Sequence, residues 1–207
     1  MDLPHLRDKV AKGMGLAARK LGIPVIVYRP TGPDGPLTPA NRVIKLFAQF
    51  EGADASGTQA GQAGAMWHGF FDTAYTQPGD YLVGVDYTYF VGTQEPLLPA
   101  RCILTNRLVT VVRPTFVGQA GYSGLYSSDE ENVVVSWPAS ILASGSHAGD
   151  ARPNTSNFGD WSISLPISSA QLRPADVISD DLGATYVVGG VEKDRLGWRV
   201  LVRQIGG

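Results

Sequence analysis

Pro78-Gly79-Asp80-Tyr81-Leu82-Val83 runs across a turn into Tyr89-Phe90-Val91-Gly92, and the second half of the chain holds its echo. There Pro174-Ala175-Asp176-Val177-Ile178-Ser179 crosses the Asp181-Leu182-Gly183 turn into Tyr186-Val187-Val188-Gly189. The Asp-to-Tyr spacing is nine residues in the first copy and ten in the second, so one insertion aligns them. Short apolar runs joined by Gly/Asp turns read as β-hairpins. Each is followed by a further apolar run, Leu108–Val112 and Trp198–Val202, in the place of a third strand of a meander. Two related small β units are the inference.

Outward from the hairpins the texture holds. From Val25 on, runs rich in Val, Ile, Tyr and Phe alternate with Pro and Gly clusters. In Val43–Phe50, strand alternation puts Ile44, Leu46 and Phe50 on the core face. Ahead of this region Leu6, Val10, Met14, Ala17 and Leu21 recur at helical spacing, and Gly22 with Pro24 supplies a stop. The expected fold is therefore mainly β, with two small antiparallel barrel- or sandwich-like units and one N-terminal α-helix. The expected division is an amphipathic helix over 1–24, a first β unit over 25–118 and a second over 119–207. The boundary is set by the Gly/Ser/Tyr-rich stretch Tyr122–Ser128. Low-complexity residues 51–65 and polar residues 144–159 read as loops.

Composition bounds the function. The 207 residues are 43% hydrophobic and 17% charged, enough apolar content for packed cores without metals or disulfides. A net charge of −2 with dispersed Lys and Arg offers no footprint for specific nucleic-acid binding. No run reaches the ~20 apolar residues of a membrane helix, and Met1-Asp2-Leu3-Pro4-His5 is unlike a secretory signal. The expected place of synthesis is the cytosol. The single cysteine, Cys102, sits in an apolar run and reads as a small buried hydrophobe.

No chemical motif emerges. Phosphate-binding glycine loops, nucleophile elbows and metal-ligand spacings are absent from the sequence, and His5, His68 and His147 stand in unrelated contexts. Asp72, Asp80, Asp86 and Asp176 fall at strand ends or turns, where carboxylates bond local backbone. The expectation is no enzyme, no catalytic or metal residue and no cofactor. The helix stripe Leu6, Val10, Met14 and Leu21, the aromatics Tyr81, Tyr87 and Tyr89, and exposed strand edges are the candidate subunit contacts. A competing use of the aromatics Tyr75, Tyr81, Tyr87, Tyr89, Tyr122 and Tyr126, with Trp67, Trp137, Trp161 and Trp198, is a stacking platform for sugars.

The run Gly79-Asp80-Tyr81-Leu82-Val83 through Gln94-Glu95-Pro96-Leu97-Leu98-Pro99 and on to Asn106-Arg107-Leu108-Val109-Thr110-Val111-Val112-Arg113-Pro114 resembles structural proteins of tailed bacteriophages and prophages of proteobacteria. The opening Gly13-Met14-Gly15-Leu16-Ala17-Ala18-Arg19-Lys20-Leu21-Gly22 and the closing Pro174–Gly183 segment, with Leu196-Gly197-Trp198-Arg199, are similar to the same family. A looser likeness is to the small β-barrels of head–tail joining proteins. The resemblance implies a virion protein of the neck or tail, assembled in the bacterial cytoplasm. It implies a multi-copy ring that contacts portal, adaptor, tail or fibre proteins. The alternative is a carbohydrate- or receptor-binding module of a tail fibre or its attachment site.

Overall fold

The computed structural model describes residues 3–53, 65–116, 126–143 and 161–207. Helix α1 (Leu3–Leu21) leads into a first antiparallel barrel. Its strands are β1 (Ile23–Tyr28), β2 (Arg42–Gly52), β3 (Met66–Phe70), β4 (Tyr81–Val83), β5 (Thr88–Thr93) and β6 (Ala100–Leu104), closed in the order β1-β2-β3-β6-β5-β4. The second barrel contains β7 (Arg107–Phe116), β8 (Tyr126–Ala143), β9 (Trp161–Leu165), β10 (Val177–Asp180), β11 (Thr185–Asp194) and β12 (Gly197–Gly206). It closes as β7-β8-β9-β12-β11-β10, the same circuit strand for strand. The expected class, mainly β with one helix and two small antiparallel units, is the observed one.

The likeness of the two barrels extends to register. In the first barrel Tyr28, Val27 and Ile26 pair with Tyr81, Leu82 and Val83; in the second Val112, Val111 and Thr110 pair with Val177, Ile178 and Ser179. The first hairpin pairs Tyr81 with Phe90, the second Val177 with Val187. Each following ladder slips at the matching place, between Val91 and Thr93 and between Val188 and Gly190. A slip of this kind kinks the strand and tightens its twist, which a six-stranded barrel needs in order to close.

One boundary differs from the expectation. β7 pairs with β8 and β10, so it belongs to the second barrel, and the seam lies at Thr105–Asn106 rather than at residue 118. The Tyr122–Ser128 stretch suggested a linker because it is polar and small, yet β8 is already under way at Tyr126. The expected loops lie largely outside the described residues, as does Tyr122.

The seam itself is stiff. Thr105 donates through both its backbone N–H and its hydroxyl to the Thr88 carbonyl in the first barrel. Asn106 grips the second: its backbone N–H donates to Ala139 O, its Oδ1 accepts from Ile141 N at 2.8 Å and its Nδ2 donates to Ile141 O at 2.9 Å. Around this clamp Tyr81, Phe90 and Ile103, on the outside of the first barrel, join the apolar cluster of the second. Trp137 is fully buried, with its ring 6.1 Å from that of Tyr81. Its Nε1 donates to Pro33 O, and Val135 and Asp34 form a short parallel bridge beside it. From the other side Ser168 donates to Gly79 O at 3.0 Å.

Candidate interaction surface

Two polar clusters hold equivalent places in the barrels, and both are scaffold. Arg29 follows β1 and forks onto Asp80, Nε to Oδ1 at 2.9 Å and Nη2 to Oδ2 at 2.8 Å. Arg113 repeats this on Asp176 at 2.9 and 3.0 Å. Each Asp Oδ2 also accepts a backbone N–H three residues upstream, from Gln77 at 2.9 Å and Arg173 at 2.8 Å. The preceding residues, Gly79 and Ala175, have positive φ of 95° and 72° and donate to Val91 O and Val188 O. Gly79 cannot carry a side chain, because a Cβ there would lie 2.8 Å from Ser168 Oγ of the second barrel. Ala175 occupies the same turn with its methyl.

Both carboxylates are inaccessible, Asp80 at 0% and Asp176 at 1% exposure. Buried carboxylates are stable only when charge-paired and hydrogen-bonded, as these are. The hydrogen bonds to Asp80 and Asp176 in turn hold the two guanidinium groups above their ordinary value, against the opposing pull of burial. The turn carboxylates expected from the sequence are therefore real, and their partners are the arginines that the hairpin pattern alone does not reveal. The signal was available: Arg-Pro-Thr occurs at 29–31 and again at 113–115.

The sequence-expected contact residues divide. Tyr81 and Tyr89 are corrected to core positions. Tyr81 is 0% exposed and donates its hydroxyl to Pro138 O at 2.7 Å across the seam, so burial pushes that hydroxyl well above its ordinary pKa. Tyr89 lies inside the first barrel, stacked on Phe50 at 3.9 Å between ring centroids and edge-on to Trp67. Strand alternation made these tyrosines look outward in turn, but the outer face of β4 is itself covered by the second barrel. Tyr87, in the β4–β5 turn, is 55% exposed. The sugar platform loses Tyr81 and Trp137 to the packing between the barrels and Tyr89 to the interior of the first. Free edges are also fewer than expected, since both barrels close.

The helix is turned differently from its stripe. Its buried residues are Ala11 and Ala18, and it rests against β2, β3 and the 3₁₀ turn Thr73–Tyr75. Small residues set this face because the backbone approaches closely. A Cβ on Gly15 would lie 2.9 Å from Asp72 Cβ, and one on Gly22 only 2.5 Å from Ala48 O. Leu6, Val10 and Met14 are consequently half-buried at the flank, and Leu21 is 75% exposed. The alternation of β2 holds: Ile44, Leu46 and Phe50 pack on the core, while Val43 and Phe47 face out.

An open groove of about 730 Å³ results between α1 and β2. Leu16, Phe47 and Tyr75 give it exposed apolar walls, and Lys12, Arg19 and Lys45 line it with positive charge against Asp8 and Asp72. At the end of the same barrel Leu21, Ile23, Val85 and Tyr87 add more exposed apolar surface. Ile23 reaches the β4–β5 turn: a Cβ on Gly84 would lie 3.4 Å from its Cδ1.

No protein-family model, curated protein or solved structure matches the chain. Among the described residues no group of three or more His, Cys, Asp or Glu is placed to hold a metal ion, and no helix is long and apolar enough to cross a membrane. Cys102 is fully buried in the first barrel, which pushes its thiol far above the ordinary value and removes it from nucleophilic use.

Proposed function

We propose that this chain is a structural subunit of a tailed-phage particle, present in several copies at the neck or along the tail and acting through subunit contacts without enzymatic chemistry. The observation that carries the reading is the distribution of polar and apolar groups. The two carboxylates that are fully buried among the described residues, Asp80 and Asp176, are both committed to Arg latches that hold the barrels. Large apolar side chains instead stand outside on the helix-bearing side and end of the first barrel: Leu16, Leu21, Ile23, Phe47, Val85 and Tyr87. Exposed apolar side chains gathered on one barrel's side and end are what a contact face offers. The stiff seam suits a part that transmits position between neighbours.

The test is composition and phenotype of purified particles. Mass spectrometry of particles from a lysogen carrying the gene is expected to find the chain at several copies per particle, and its deletion to leave heads and tails unjoined or tails unfinished. Particles that are complete and infectious without the chain refute the proposal.

A further inference from the structure

We propose that the α1–β2 groove receives the acidic β7–β8 ribbon of a second copy of this chain, an inference that rests on the subunit reading above and names its contact. Among the described residues the ribbon is where the strands of the second barrel run on past their barrel partners. β10 pairs with β7 only from Val109 to Val112, and β9 pairs with β8 only from Ser140 to Ala143. Beyond those limits Arg113–Phe116 and Tyr126–Asn132 pair, among the described residues, only with each other. A two-stranded ribbon is marginal in water until something packs on it.

Charge selects the occupant. The ribbon carries the run Asp129-Glu130-Glu131, and Glu130 and Glu131 are exposed. Its one base among the described residues, Arg113, is committed to Asp176. The groove offers the complement. Lys12, Arg19 and Lys45 line it against Asp8 and Asp72, an excess of one positive charge, and α1 as a whole holds Arg7, Lys9, Lys12, Arg19 and Lys20 against Asp8 alone. A groove lined by exposed apolar side chains and by Lys12, Arg19 and Lys45 suits an acidic β ribbon, with apolar contact for affinity and charge for orientation.

Groove and ribbon belong to different barrels of one chain, so the contact is heterologous. A heterologous contact repeats from copy to copy, closing into a ring where the rotation permits and otherwise growing into a filament. Because the barrels are fixed by the Thr105–Asn106 clamp, the angle between the two surfaces is set within each subunit.

The experiment is sedimentation velocity of the purified full chain over a concentration series, at low and high salt, with three charge variants. K12E/R19E/K45E reverses the groove, E130K/E131K reverses the ribbon, and the third combines all five. All five side chains are exposed, and circular dichroism checks that the variants fold. The wild-type chain is expected to associate in a salt-sensitive way, each reversal to weaken association at least about tenfold, and the combined variant to recover most of that loss. A wild-type chain that stays monomeric up to about 1 mM overturns the inference. So does association that ignores the reversals, or a combined variant weaker than either parent. A chain found in particles that fails this test defeats the inference and leaves the subunit reading standing. A chain that passes it but is missing from particles defeats only the subunit reading.

Discussion

Arg113→Ala removes the fork from a carboxylate with 1% exposure and leaves Asp176 with the Arg173 N–H as its remaining charge-stabilising contact. Removing one partner of a buried ion pair costs about 3–5 kcal/mol, because the other charge stays desolvated. The Arg113 side chain retains 20% exposure, so water entering its place softens the loss toward the lower end, about 3 kcal/mol. The equivalent Arg29→Ala is expected to cost less, about 2 kcal/mol, since the Arg29 side chain is already 36% exposed. Asp176→Ala removes the buried carboxylate and leaves the Arg173 N–H and the Arg113 Nε–H without their acceptor, but the Arg113 guanidinium keeps contact with water, so the loss is about 1–3 kcal/mol. The double variant then lacks the uncompensated charge, and its cost falls short of the sum of the singles by about 2 kcal/mol. Urea unfolding at neutral pH measures this cycle. With a slope of about 2 kcal/mol per molar, Arg113→Ala lowers the midpoint by about 1.5 M. A loss below about 1 kcal/mol for Arg113→Ala, or additive single costs, refutes the claim that the latch holds a buried charge.

Alkaline stability follows from the buried Tyr81 hydroxyl and Cys102 thiol, both raised by desolvation. Each stays protonated in the folded chain while the unfolded chain ionises it. Their contribution is therefore intact below the ordinary values of about 8.5 and 10, and it is lost as pH rises past them, by up to about 1.4 kcal/mol per pH unit per group. Denaturant titrations across pH 8 to 12 read this, with Tyr81→Phe expected to lose about 1–2 kcal/mol at neutral pH and to flatten the slope above about pH 10. Gly22→Ala tests the helix seat: its methyl meets Ala48 O, so α1 is expected to lift from β2 while the first barrel persists, seen as early proteolysis within residues 3–21 without loss of the β-sheet signal.

Much of the fold was written in local pattern. The repeated hairpins, the alternation of β2 and the presence of the helix each depend on neighbours within a few residues, and each holds in the structure, although the helix buries alanines and not the stripe its spacing marked. Pairing the barrels' halves was less legible. The seam at Thr105–Asn106 is marked only by the short polar step Thr105-Asn106-Arg107 between two apolar runs, so composition pointed instead to a longer polar stretch further on.

By itself, then, the sequence determined that this chain folds into two related antiparallel β units behind one helix, because strand and helix periods and turn residues are local properties. It even carried both halves of each latch, Arg-Pro-Thr and the turn aspartate, without showing that they meet. Only the tertiary structure decided that Arg29 finds Asp80 and Arg113 finds Asp176, fifty-one and sixty-three residues away, since pairing at that range depends on how the barrel closes. It also decided which face is hidden. Tyr81 lies on the outer side of its own barrel and is buried by the neighbouring one, and α1 presents alanines and glycines inward because close backbone approach there outweighs the burial of Leu21. Periodicity identifies a face, and packing between units decides whether that face meets water.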